Sequence, residues 1–289
     1  MEYIPQVLVN GLIVGSFYAL GALGFTLIAR TNRFMHLAHS AVMMTGAYSF
    51  FCLFVFLELN FFLASVLTIS LTSIFGVAVY QFFYRPLLKR KTSLSVMLLA
   101  SLVIKFIIEN IILLIFGPVF KNIPSPFGFE SFKFSTVSIT PIEIMVIIAA
   151  VLMFFLIYFL IQKTTLGVIF RAMSSNLELS KIRGIDTEKY YRYSFALSSA
   201  LAGYVAILIA MSQNFSATLS QLMMAKIFTA SLIGGLTFLP GAVLGGYFLG
   251  ISENLVLFFF PIGAKDLFVF SLLFILLVFR PGGILDYKS

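Results

Sequence analysis

A chain of 289 residues in which 61% are apolar and only 10% are charged has too little polar surface to cover a soluble core, so most of its surface has to face lipid. One cysteine, Cys52, and two histidines exclude a disulfide framework, a thiolate metal cluster and a multi-histidine di-iron enzyme. The formal charge of +8 suggests an anionic partner only if membrane topology leaves the basic residues unexplained.

The first apolar stretch, residues 5–29, lacks the basic lead and small-residue cleavage site of a signal peptide and is too long for one, so it reads as a first span. Gly11 and Gly15 form a GxxxG pair within it, and Gly21 and Gly24 add further small residues that let helices approach closely in lipid. Further stretches of about 20 residues, the length that crosses hydrocarbon, fall at 34–57, 61–83, 94–116, 142–162, 193–213, 219–238, 240–260 and 264–279. The fold class is therefore an all-α polytopic membrane protein of eight or nine transmembrane helices. "GGLTFLPG" and "FPIGAK" interrupt the last three stretches, which leaves room there for a re-entrant or half-length helix. Residues 1–289 form a single transmembrane domain.

With the N-terminus outside, fourteen of the nineteen basic residues fall in cytoplasmic segments and only Lys121, Lys133 and Lys265 fall outside. The positive-inside rule favours this orientation, an odd number of crossings and a cytoplasmic C-terminus, and it accounts for the net charge without nucleic acid. The outer loop at about 117–141, rich in Pro, Gly, Ser and aromatics, has room for a short hairpin. Neither it nor the inner loop at about 163–192 can hold a soluble catalytic domain.

Two basic residues remain inside spans. Lys105 lies four residues before Glu109, on the same helix face, where the two neutralise each other. They form either a pair lining a solute pathway or a packed ion pair that fixes helix position. Lys226 and Glu253, on different spans, raise the same problem and are expected to be neighbours.

In the inner loop, Ser175 stands three residues before Glu178 in capping-box spacing. Gly184 supplies a stop, with Lys181 and Arg183 in the last turn where cations suit the helix dipole. A short helix over about 176–183 follows. Its Leu177, Leu179 and Ile182 either pack on the inner ends of neighbouring spans or present a docking surface to a cytoplasmic partner.

This loop, "TTLGVIFRAMSSNLELSKIRGID", is similar to the cytoplasmic loop of permease subunits of Liv-type ABC importers, the branched-chain amino-acid transport family. Thr165, Gly167, Arg171, Ala172, Asn176, Glu178, Gly184 and Ile185 occupy matching positions, while Leu177 and Ser180 replace a usual Pro and Ala. The opening span, with Asn10, Gly11 and Gly15, resembles that of the family, as do "IGGLTFLPGAVLGGYFLG", with Thr237 where Gly is usual, and the ending "FRPGGILD". "FMHLAHSAVMMTGAY" resembles its Asn-Phe-Ala-His-Gly segment: His39 falls on the histidine, and Gly46 and Tyr48 on trailing positions. His36 and Ser40 replace Asn and Gly. Two histidines three residues apart leave most of a zinc coordination sphere unfilled, so His36 and His39 make a poor metal site. His39 is instead expected to shape a helix start or line the pathway. Lys105 departs from the family's small residue.

The resemblance implies half of a solute pathway in the bacterial inner (cytoplasmic) membrane. Its partners would be a second permease, identical or homologous, two cytoplasmic ATPase subunits and an extracytoplasmic solute-binding protein. Residues 167–185 would couple to the ATPases. No cofactor is expected in this chain, which has no GxxxxGK[ST] phosphate loop, GxSxG elbow or HExxH helix; ATP and Mg would sit on the ATPases, and the chain would be no enzyme. The solute implied is a branched-chain or other small amino acid, with urea or short amides as the alternative. A secondary transporter would instead carry its coupling ion on Glu109 or Glu253.

Overall fold

The computed structural model describes residues 4–124, 131–134, 136–261, 263–280 and 283–284. Lys288 and half of the C-terminal motif lie outside them. The helices in chain order are α1 (Ile4–Asn32), α2 (His39–Phe51), α3 (Phe61–Val79), α4 (Arg85–Lys89), α5 (Leu94–Phe116) and α6 (Pro141–Lys163). They are followed by α7 (Thr165–Ser175), α8 (Leu177–Ile182), α9 (Thr187–Ser212), α10 (Leu219–Gly234), α11 (Leu239–Phe259) and α12 (Ala264–Phe279). Wider π-helical turns extend α2 over Cys52–Phe56 and join α3 to α4 over Tyr80–Tyr84.

Seven of the described helical segments are long and apolar enough to cross a membrane: 4–32, 39–56, 61–89, 94–116, 141–163, 187–212 and 239–259. α10 and α12 have 16 residues each, about 24 Å at the helical rise and short of the roughly 30 Å hydrocarbon thickness. α10 is short because the chain between α9 and α10 runs non-helical while Phe215, Ser216 and Ala217 are buried. Irregular backbone at that depth needs partners. Lys121 and Phe215 supply them for each other, exchanging N–H···O=C bonds of 2.8 and 3.1 Å. α10 then ends at Gly234, before Gly235 at φ +89°, so the expected stretch to 238 stops a turn early.

Helix starts follow their side-chain caps. Asn60 and Ser93 cap α3 and α5. Thr140 and Glu143 form a reciprocal capping box at α6, with Pro141 at the first helical position. The outer loop contains the short hairpin: β1 (Phe132–Phe134) pairs antiparallel with β2 (Val137–Ile139), Phe132 opposite Ile139. Gln6 of α1 holds β2 at Ser138, donating to its carbonyl at 3.1 Å and accepting from its N–H at 2.7 Å.

α1 and α9 form the centre, with 83% and 78% of their apolar windows buried, against 28%, 33% and 22% for the segments of α3, α5 and α6. Those outer helices turn Phe62, Leu114, Phe155 and Phe159 outward, as expected where lipid is the solvent. α1 packs on α11 through glycine on both sides: Gly250 sits against the Gly15 backbone and Gly246 against that of Ala19. A Cβ on Gly11 would lie 2.8 Å from Ile251 Cα. Gly46 lets α2 approach α3 and α9; its Cβ would meet Thr72 and Ala206 at 3.0 Å.

Candidate functional site

The inner loop is a two-helix module, not one helix in a linker. α7, where the sequence predicts only loop, follows its cap Thr164, whose hydroxyl accepts from Gly167 N–H at 3.4 Å. Gly167 faces the Ile161 carbonyl so closely that any Cβ would overlap it. Arg171, one turn on, donates to that same carbonyl. Ala172 accepts from Asn176 N–H at 3.0 Å, and Asn176 starts α8 by accepting from Leu179 N–H at 2.9 Å. The cap is therefore Asn176, not Ser175. Ser175 remains in the last turn of α7, so its hydroxyl does not cap α8, and Glu178 contributes as an acidic residue in the first turn. α8 runs over Leu177–Ile182, a residue shorter at each end than expected, and the chain turns at Gly184 with φ +81°.

Arg33 ties the module to the centre. Standing just past α1 at φ 58°, it donates from Nη2 to the carbonyls of Ser174 and Ser175, both at 2.6 Å, at the C-terminal end of α7. Leu177 and Ile185 pack inward on the core, and Ser180 is buried. Leu179 and Ile182 point away from the protein, Ile182 with 81% of its surface exposed. Packing on the neighbouring spans thus accounts for Leu177 and not for Leu179 or Ile182.

His36 and His39 are both fully buried, ring centroids 6.2 Å apart. Tyr84 donates to Ser101 Oγ at 2.8 Å, so the 2.8 Å contact between His36 Nδ1 and Tyr84 has the imidazole as donor. Ser101 also accepts from Ala38 N–H at 3.0 Å, which fastens the approach to α2 onto α5. His39 begins α2 and lies on Gly24, where a Cβ would be 2.9 Å from the ring. Ser198 donates to the Gly24 carbonyl at 2.8 Å, leaving His39 Nδ1, 3.4 Å from Ser198 Oγ, as the donor in that contact. Both rings are thus committed to joints between helices. Among the described residues, no group of three His, Cys, Asp or Glu comes together around them. Asn10, exposed, accepts from Gln6 at 2.8 Å; Tyr48 is buried, with its ring 4.5 Å from that of Phe116.

The charges inside the helical body form two separate sites. Lys105 Nζ lies 2.8 Å from Glu109 Oε1, and Ser220 at the start of α10 donates to the same oxygen. Lys226 Nζ lies 2.7 Å from Glu253 Oε1, the pairing expected from the sequence. That expectation missed three further partners: Tyr18 donates to Glu253 Oε2 at 2.8 Å, Asp266 stands 3.3 Å from Lys226, and Lys265 lies 3.9 Å from Glu253. Ser220 was likewise absent from the reading. Neither hydroxyl has a sequence signal, because each meets its carboxylate across more than a hundred residues.

The family described as "Branched-chain amino acid transport system / permease component" matches residues 7–278. Among relatives, the high-affinity branched-chain amino acid transport system permease protein BraD of Pseudomonas aeruginosa is 31% identical, covering 98% of this chain and 96% of its own. The corresponding LivH of Escherichia coli is 28% identical over the same shares, and a probable LivH of Methanocaldococcus jannaschii is 29% identical over 88% and 81%. The fold is similar, with a TM-score of 0.51 and 16% identity, to that of PsaBC from Streptococcus pneumoniae in complex with Fab, over 98% of this chain and 93% of that one. With the match running from the first helix to the last, this chain belongs to the family of permease components of branched-chain amino acid transport systems.

Proposed function

We propose that this permease forms half of the solute pathway of an ABC importer for branched-chain amino acids. It pairs with a second permease, identical or homologous, and with two ATPase subunits that carry ATP and Mg, and it receives solute from an extracytoplasmic binding protein. The α7–α8 module carries this reading. It is braced from three sides, by the Ile161 carbonyl, by Arg33 and by the packing of Leu177, yet turns Leu179 and Ile182 outward, with Lys181 and Arg183 flanking Ile182. An exposed apolar pair on a rigid, basic module suits docking to a subunit that must push on it; a flexible linker would absorb the motion instead. Gly167, Arg171, Ala172, Asn176, Gly184 and Ile185 build the module, and Leu179 and Ile182 make the contact. Glu178, exposed in the first turn of α8, stands beside it.

The topology that fits is nine crossings, α10 and α12 included, with the N-terminus outside and the C-terminus cytoplasmic. The N-terminal turn of α1 with its hairpin and the Lys121–Phe215 bridge then form the outer side, and the module with the Arg85–Glu188 ion pair the inner. ATP binding would draw the two ATPases together and move α8, and the braces would pass the displacement to α1 and α6 as alternating access.

The test is reconstitution with the ATPases and binding protein. Uptake of labelled leucine should require ATP. Ile182→Asp, at an exposed position, should leave the permease folded while reducing ATPase co-purification at least tenfold. Uptake driven by an ion gradient without ATP, or retained ATPase association in this variant, would overturn the reading.

A further inference from the structure

The Lys105–Glu109 pair differs from the Lys226–Glu253 pair in what surrounds it. Glu109 borders a cavity of about 70 Å³ that is also lined by Asn110, Thr218 and Gln221. Ser220, which donates to Glu109, lines a second cavity of about 20 Å³ walled by Met43, Met44, Ile209, Phe215 and Met223. Phe106, Leu113 and Ala217 complete the lining of the first cavity, and the hydrogen bond between Ser220 and Glu109 joins a residue of one cavity to a residue of the other. Lys105 and Glu109 are almost wholly buried, at 5% and 6% exposure. α10 begins beside them at Thr218, whose side chain does not cap it and whose backbone carbonyl accepts from Gln221 N–H at 3.3 Å.

We propose that Lys105, Glu109 and Ser220 form a recognition point for the zwitterionic head of an α-amino acid in transit. The ammonium would sit on Glu109, the carboxylate on Lys105 and the first turn of α10, and the apolar side chain would point past Ser220 into the methionine-lined chamber. This rests on the function proposed above. Its physical logic is charge exchange: the closed pair neutralises itself, and a zwitterion entering between the two replaces each partner with a group of the same sign. The site stays neutral at every stage, which a buried location demands. A 20 Å³ chamber admits little more than one water, so entry of a side chain requires the start of α10 to move away from α2 and α9. A short helix that starts after a non-helical segment is suited to such movement.

The deciding variant is Lys105→Met with Glu109→Gln in the complete reconstituted transporter, because it removes both charges and leaves none uncompensated in lipid. If the pair only fixes helix position, ATP-driven leucine uptake in the double variant stays within twofold of wild type, and the proposal is overturned. If the pair reads the zwitterion, uptake falls at least tenfold although the ATPases still co-purify. Should the double variant fail to assemble, Ser220→Cys in a Cys52→Ser background decides. Leucine-loaded binding protein with ATP should slow its reaction with a methanethiosulfonate at least threefold, and an unchanged rate overturns the proposal. Wild-type transporter that does not take up leucine at all would instead overturn the function proposed above.

Discussion

At the scale of single residues, the membrane makes charge the most informative character in the sequence. Glu253 is wholly buried and held by Lys226, Tyr18 and, at 3.9 Å, Lys265. Removing one partner of a buried pair leaves an uncompensated charge, at a cost of about 3–5 kcal/mol. Lys226→Met should therefore lower stability in detergent by that order. Lys226→Met with Glu253→Gln should recover more than half of the loss, since Tyr18 still has an oxygen to donate to. Additive losses in thermal unfolding would show the pair to be uncoupled. The economy of charge in lipid was enough to expect Lys226 and Glu253 together from the sequence. Tyr18 and Ser220 were not expected, because a hydroxyl has no such obligation and is at home on any helix. The histidine joint was legible only in part: a helix start at His39 was one of two expectations, the apolar stretch pointed to a span from 34 instead, and the hydrogen bonds through Tyr84, Ser101 and Ser198 exist only once the helices meet.

At the scale of elements, apolar length located the spans well and local polar bonds decided where they end. The capping box that the sequence suggests, Ser175 to Glu178, loses to Asn176, whose side chain reaches Leu179 N–H from a backbone already turned out of the helix. Helix α7 escaped notice because its amphipathic run abuts α6 with only Thr164 between them. Helix pairing is where the glycines act. Gly250→Leu would drive a side chain into the backbone of α1 at Gly15 and should cost about 1–3 kcal/mol or more. Gly263→Ala, with open space around it, should stay within about 0.5 kcal/mol of wild type. Equal unfolding midpoints for the two variants would contradict close α1–α11 packing.

At the scale of the whole molecule, α1 and α9 are sheathed by helices that give most of their surface to lipid, and the charged module sits at one end of the bundle. The proposed orientation makes a direct prediction in a Cys52→Ser background. Ile182→Cys should react with a membrane-impermeant thiol reagent only in inverted vesicles, and Phe132→Cys only from the outside of intact cells. Labelling of both from the same side would exclude it.

The sequence by itself determined the class of protein, the approximate spans, the family and the need to pair its intramembrane charges, because lipid imposes those requirements on any segment regardless of its neighbours. Only the tertiary structure decided that α10 starts after a buried, non-helical turn, that Leu179 and Ile182 face away while Leu177 packs inward, and that Glu109 and Ser220, each on a cavity of its own, meet in one hydrogen bond. Those features depend on which helix stands opposite, and distance along the chain carries no record of that.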